Sequence, residues 1–253
     1  MSATAVALVT GAAKRIGRTV ALALARDGWD VGVHYGASRD DALQTAREIE
    51  ALGRRAVALP CDLADEAGVR RLVADCSGAL GSVTCLVNNA SLFAEDRIDT
   101  VCADSLQRHM QINVAAPLLL AQALHAALPD DARGVVINLL DQKLYNPNPD
   151  YLSYTLSKAA LHEATTLLAQ ALAPRLRVVG VAPGITLTSG EQTEAGFAKA
   201  HSKTPLGRSS TPEDVAAAVV YLARAQAVTG STLLVDGGQH LLPSPRDVMF
   251  LTT

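Results

Sequence analysis

Along the chain, short apolar runs rich in β-branched residues alternate with longer stretches of helical period. The runs are "AVALV" (5–9), "DVGVHY" (30–35), "AVAL" (56–59), "VTCLVN" (83–88), "GVVINLL" (134–140), "RVVGVA" (177–182) and "STLLVD" (231–236). Helical segments are predicted near 15–27, 39–52, 65–79, 102–128, 153–172 and 212–224. Strands that are apolar throughout and separated by helices mark a parallel sheet covered on both faces. The pattern predicts one α/β domain over residues 1–253, built on a doubly wound seven-stranded parallel sheet.

Local signals sharpen two of these helices. Thr211, Pro212, Glu213 and Asp214 read as an N-cap, a proline at the first helical position and acids in the first turn. The segment 153–172 carries Ala159, Ala160, Leu161, Ala164, Leu167, Leu168, Ala171 and Leu172, more apolar surface than one sheet-facing stripe needs. The surplus predicts a second buried face against another subunit; an alanine-rich helix of a monomer is the alternative.

Charge and composition narrow the partners. A net charge of −3 gives no basic field for nucleic acid, and no Lys/Arg run marks a membrane surface. No apolar run approaches the roughly 18 residues of a membrane span. The start "MSATAVALVTG" lacks the pattern of a signal peptide, so a cytoplasmic protein is expected. Cys61, Cys76, Cys85 and Cys102 show no CxxC or zinc-finger spacing and read as reduced packing thiols, with no metal site.

After the first run comes "TGAAKRIG". Gly11 ends the strand turn, Gly17 lies in the first helical turn, and Arg15 stands where a dinucleotide fingerprint has its middle glycine. A strand–turn–helix of this kind leaves backbone N–H groups free for a pyrophosphate, which makes it a candidate dinucleotide site. An NAD site has an acid about 20 residues on, but His34, Tyr35 and Gly36 stand there instead. Ser38, Arg39, Lys14 and Arg15 would then converge on the 2′-phosphate of NADP(H); solvated surface charge is the alternative for Lys14 and Arg39. In "CDL", Asp62 is a candidate acceptor for the adenine amino group or a helix cap.

A third cluster follows the fifth run, which stops at an acid, Asp141; further on, Tyr154 and Lys158 lie four apart at the head of a helix. One helical turn brings the cation toward the phenol, where positive charge favours phenolate. Four residues after Tyr151 comes Thr155, so Tyr154 is the candidate proton relay.

"TGAAKRIG", "CDL", "NNAS" (88–91), Asn113 in "MQINVAAP", "YTLSK" and "APG" (182–184) together resemble the short-chain dehydrogenase/reductase family, in this order and across essentially the whole chain. The resemblance implies a Rossmann fold, a homotetramer and an NADP(H)-dependent oxidoreductase. It assigns proton transfer to Tyr154, nicotinamide ribose binding and a lowered tyrosine pKa to Lys158, and support of a water chain to Asn113. It also places Ile16, Leu63, Asn89, Ala90, Ser91, Pro183, Gly184 and Ile185 along the cofactor.

The departure is Asp141, thirteen residues before Tyr154, where most of the family has serine. A carboxylate only accepts hydrogen bonds unless it is held protonated. The Asp–Tyr–Lys set, the arginine of "TGAAKRIG", "HY" at 34–35 and Phe93 in "NNASLF" look like the pteridine reductase and dihydromonapterin reductase branch. That likeness implies a pterin pocket of Arg15, Ser91, Phe93, Asp141, Tyr154 and Leu187, with Phe93 stacking on the ring; packing beneath the loop is the other reading of Phe93. Gly36 and Ala37 depart from the basic residue this branch often carries there.

Residues 185–207 lack a firm hydrophobic period and resemble the family's substrate loop. The tail 239–253 ends in Val248, Met249, Phe250 and Leu251, an apolar set expected to dock near a pocket on the same or a neighbouring subunit, with Pro243 and Pro245 holding it extended. The leading expectation is an NADPH-dependent reductase of a pterin-like C=N bond. A carbonyl or alcohol oxidoreductase and a non-catalytic NADP-binding regulator are the alternatives.

Overall fold

The computed structural model describes residues 5–188 and 193–250. Seven parallel strands run in the order β3-β2-β1-β4-β5-β6-β7, with β1 Val6–Val9, β2 Asp30–Tyr35, β3 Ala56–Pro60, β4 Val83–Asn88, β5 Gly134–Leu139, β6 Leu176–Pro183 and β7 Thr232–Val235. Chain order reverses between β1 and β4, and the crevice beyond the carboxyl ends of such strands is where open α/β sheets bind ligands. One face is covered by α1 Arg15–Arg26, α2 Arg39–Ala51 and α8 Pro212–Arg224, which pack with Val9, Val33, Ile137 and Val181. The other carries α3 Glu66–Leu80, α5 Ala116–Ala127 and α6 Leu152–Ala171 against Leu8, Leu86 and Val136. The expected fold class and all six helical regions are present.

The helical region 102–128 is not one helix. It divides into α4 Ala103–Met110, a π-helical turn Gln111–Ala115 and α5. The wide turn shifts the helical phase, and such turns concentrate at functional sites; Asn113 sits within it. The predicted loop 185–207 contains α7 Glu194–Ser202, started by Thr193, whose hydroxyl accepts from the Gly196 N–H; loop residues 189–192 lie outside the described residues. The Thr211 N-cap is present as a capping box with Asp214.

Candidate active site

The phosphate turn is shaped by glycine and a buried histidine. Gly11 adopts φ +63°, and a Cβ on Gly17 would come within 2.2 Å of the Gly11 carbonyl oxygen, so α1 meets β1 as closely as backbone allows. The Gly11 N–H donates to His34 Nδ1 at 3.0 Å, which leaves His34 Nε2 to donate to the Cys61 carbonyl at 3.0 Å. These partners select a neutral imidazole, and burial lowers the His34 pKa in the same sense. His34 therefore braces the turn from beneath and does not line the cavity. The Tyr35 and Leu63 side chains belong to the two cores, so any contact these positions make with a cofactor would come from their backbone.

Several calls concern the cofactor's outer end. The N-terminus of α1 has neither a side-chain cap nor an acid in its first turn, which leaves its N–H groups for an anion. Lys14 is paired with Asp41 at 2.9 Å on the surface. Arg39 is exposed beside Ser38, the uncapped N-cap position of α2. Asp62 accepts from the Ala64 N–H, whereas the cap of α3 is Asp65, so the capping alternative for Asp62 is wrong. Arg15 holds φ 55°, a left-handed conformation costing roughly 1–3 kcal/mol for a side-chain-bearing residue. Its guanidinium crosses to the Thr188 carbonyl at 2.9 Å and ties the phosphate turn to the substrate loop.

A cavity of about 810 Å³ lies over the carboxyl ends of the central strands. It brings together Gly11, Lys14, Arg15, Ile16, Gly17, Asn89, Ala90, Ser91, Phe93, Asp141, Tyr154, Pro183, Gly184, Ile185 and Leu187 of the expected residues. His34, Tyr35, Ser38, Arg39, Asp62, Leu63, Asn113 and Lys158 do not line it. Asn113 donates to Leu92 O and Ser157 Oγ and accepts from the Leu92 N–H and Ser91 Oγ. Those four bonds use the full capacity of an amide. Its side chain therefore fixes the Ser91–Leu92 loop from within the π-helical turn.

At the head of α6 the Tyr154 hydroxyl donates to Asp141 Oδ2 at 2.7 Å, and Asp141 Oδ1 accepts from the Lys143 N–H at 2.8 Å. Lys158 Nζ donates to the Leu139 carbonyl at 2.7 Å and lies 5.7 Å from the Tyr154 ring centre. Burial raises the Asp141 pKa. Burial and then the Asp141 charge hold Tyr154 well above the usual phenol range, while burial brings Lys158 down to about 8. The Tyr154 shift thus runs opposite to the expected lowering by Lys158, chiefly through burial and then through the Asp141 carboxylate. Phe93 is 42% exposed and lies edge-on to Tyr154 with ring centres 4.7 Å apart, while stacking on Tyr151 at 4.3 Å.

Sequence reasoning missed part of the wall. Lys143 is buried, with Nζ donating to the Asp150 carbonyl at 2.6 Å and to Asp247 Oδ2 at 3.2 Å. The tail docks on its own chain, where Leu242, Pro243, Ser244, Arg246, Asp247 and Val248 line the cavity. Short 3-10 turns at Gln239–Leu241 and Val248–Phe250 replace an extended run; Leu251 lies outside the described residues. The apolar ending was a legible signal, but charged anchors on neighbouring positions have no period to reveal them.

Comparison with known proteins agrees with this fold. A family profile described as enoyl-(acyl carrier protein) reductase matches residues 11–240. FolM alternative dihydrofolate reductase 1 from Brucella suis, in complex with NADP, superposes with a TM-score of 0.92 at 40% identity over 98% of this chain and 99% of that one. The Brucella canis protein of the same name, also complexed with NADP, gives 0.90 at 40% identity over 96% of each chain. The L-rhamnose 1-dehydrogenase (NAD(P)(+)) of a Sphingomonas species is 33% identical over 244 residues, 92% of this chain and 95% of that protein. The names of these proteins point to different substrates. The chain belongs to the short-chain dehydrogenase/reductase family of oxidoreductases.

Proposed function

We propose that this protein is an NADPH-dependent reductase of a pterin-like substrate, converting a dihydropterin to a tetrahydropterin. The observation that carries the reading is the Tyr154–Asp141 hydrogen bond of 2.7 Å beside the Phe93 ring. A carboxylate at this point suits a ring edge bearing amino and N–H donors, and a simple ketone offers it no donor. The FolM structures, dihydrofolate reductases by name, support the same class. The uncapped start of α1, Gly11 and Gly17 fit a pyrophosphate, and Arg39, exposed at the start of α2, supplies a cation for a 2′-phosphate. NADPH, when bound, supplies the hydride.

The protein residues supply position and the proton. Arg15, Ser91, Phe93 and Leu187 shape the substrate side, with Phe93 as a stacking platform. Asn89, Ala90, Pro183, Gly184 and Ile185 line the cofactor side, and Lys158 holds positive charge near the ribose. Tyr154 gives its hydroxyl proton to the ring nitrogen as the C=N bond is reduced, and a phenol kept protonated by Asp141 is poised for reduction over oxidation. Asp141→Ala tests the assignment: KM for a dihydropterin should rise at least tenfold with NADPH affinity unchanged. An unaltered KM would favour the second reading, a carbonyl or alcohol oxidoreductase, which the sugar dehydrogenase among the relatives keeps in view. A homotetramer located in the cytoplasm belongs to the same proposal; among the described residues no helix is long and apolar enough to cross a membrane.

A further inference from the structure

The segment that closes the outer side of the cavity is the chain's own tail, and it is built in by specific polar anchors. Arg246 Nε bonds both carboxylate oxygens of Asp150 at 3.0 and 2.8 Å, and the Asp247 N–H adds a third bond to Asp150 at 2.7 Å. Asn146 donates to the Leu242 carbonyl at 2.6 Å. Phe250 lies 6.2 Å from Tyr151, the ring on which Phe93 stacks, and the Arg246 guanidinium sits 4.7 Å from the Phe250 ring centre. The strap is therefore fixed to the connection between β5 and α6, the same stretch that presents Asp141 and Tyr154.

One residue ties the strap to the chemistry. Lys143 holds Asp141 through its backbone N–H and Asp247 through its ammonium group. A buried ammonium needs an anionic or acceptor partner, so the Lys143–Asp247 contact fixes where the second carboxylate stands. Both carboxylates line one cavity with Phe93 and Tyr154. A carboxylate offers about four acceptor positions, so Asp247 can accept from a substrate beside its protein partners.

We infer that the strap over residues 242–248 is the second wall of the substrate pocket and that Asp247 is a specificity-determining residue. Together with Asp141 it brackets a planar substrate edge carrying several N–H donors, as in an aminopyrimidine ring. The inference deepens the proposed pterin reading and rests on it for the class of substrate, but its test needs no turnover. Calorimetric titration of the NADP+-loaded protein with 2,4-diaminopteridine compares wild type, Asp247→Asn and Asp247→Glu. Loss of a charged hydrogen-bond partner should weaken binding about tenfold or more in Asp247→Asn. Asp247→Glu should recover most of the loss, and NADPH affinity should stay within about twofold in both variants. Equal affinity of wild type and Asp247→Asn would overturn the inference. So would a parallel fall in NADPH affinity, which would make Asp247 a brace of the fold, or the failure of wild type to bind the probe. Failure to reduce dihydropterins would remove the proposed reaction while leaving this binding comparison to stand or fall alone.

Discussion

Asp141 is the residue on which the chemistry turns, because its charge acts on two neighbours in the same direction. It holds the Tyr154 pKa up, and it offsets part of the burial that brings Lys158 down to about 8. Reduction requires the phenol protonated and the ammonium charged, so activity should be retained at low pH and lost as pH rises through the alkaline limb. Removing the carboxylate lowers both pKa values. The pH–rate profile of Asp141→Ser should therefore show its alkaline limb at lower pH than wild type, and a limb that stays in place would contradict the coupling. Tyr154→Phe should bind NADPH normally yet lose about 10²–10⁴-fold in turnover, as fluorescence titration and steady-state rates will show. The grouping of Tyr154 with Lys158 was legible from their spacing, and that of Asp141 from its place in the family pattern. The direction of the tyrosine shift was not, because it depends first on burial and then on the nearness of Asp141, both set in three dimensions.

At the scale of elements, the strand and helix order followed from hydrophobic period, since strands covered on both faces leave little room for another assignment. The Thr211 capping box was equally readable, and Thr211→Ala should cost about 1 kcal/mol of stability, measurable by denaturant unfolding. Gly17→Ala is a sharper change: its Cβ would meet the Gly11 carbonyl, so NADPH affinity should fall at least tenfold in a direct titration while unfolding stays cooperative. What the sequence hid are features with no period of their own. The π-helical turn around Asn113 leaves no mark in the helical pattern of 102–128. His34 looked like a cofactor contact because it ends β2, yet its alternation points it into the protein, beneath the phosphate turn.

At the scale of the molecule, the Gly11–Gly17 turn, α6, the 183–187 loop and the tail converge on the cavity over the carboxyl ends of the strands. Its outward face on α6 keeps Leu156 and Leu167 48% and 56% exposed, the surplus apolar surface anticipated from the helical pattern. If that face meets another copy of the chain, Leu167→Asp should shift the protein to a smaller species in light scattering coupled to size exclusion; an unchanged mass would remove α6 from the interface. Cofactor class was readable at this scale from the missing acid after β2, whereas the tail's intrachain docking depends on contacts more than ninety residues apart in sequence, such as Arg246 with Asp150. The central claim, a reductase whose Asp141 and Phe93 select a pterin, is tested most directly by NADPH oxidation with dihydrobiopterin, dihydromonapterin and dihydrofolate beside a panel of small ketones and aldehydes. The account predicts turnover of at least one dihydropterin at low micromolar concentration, faster with NADPH than with NADH. Turnover of the carbonyl compounds alone would contradict it.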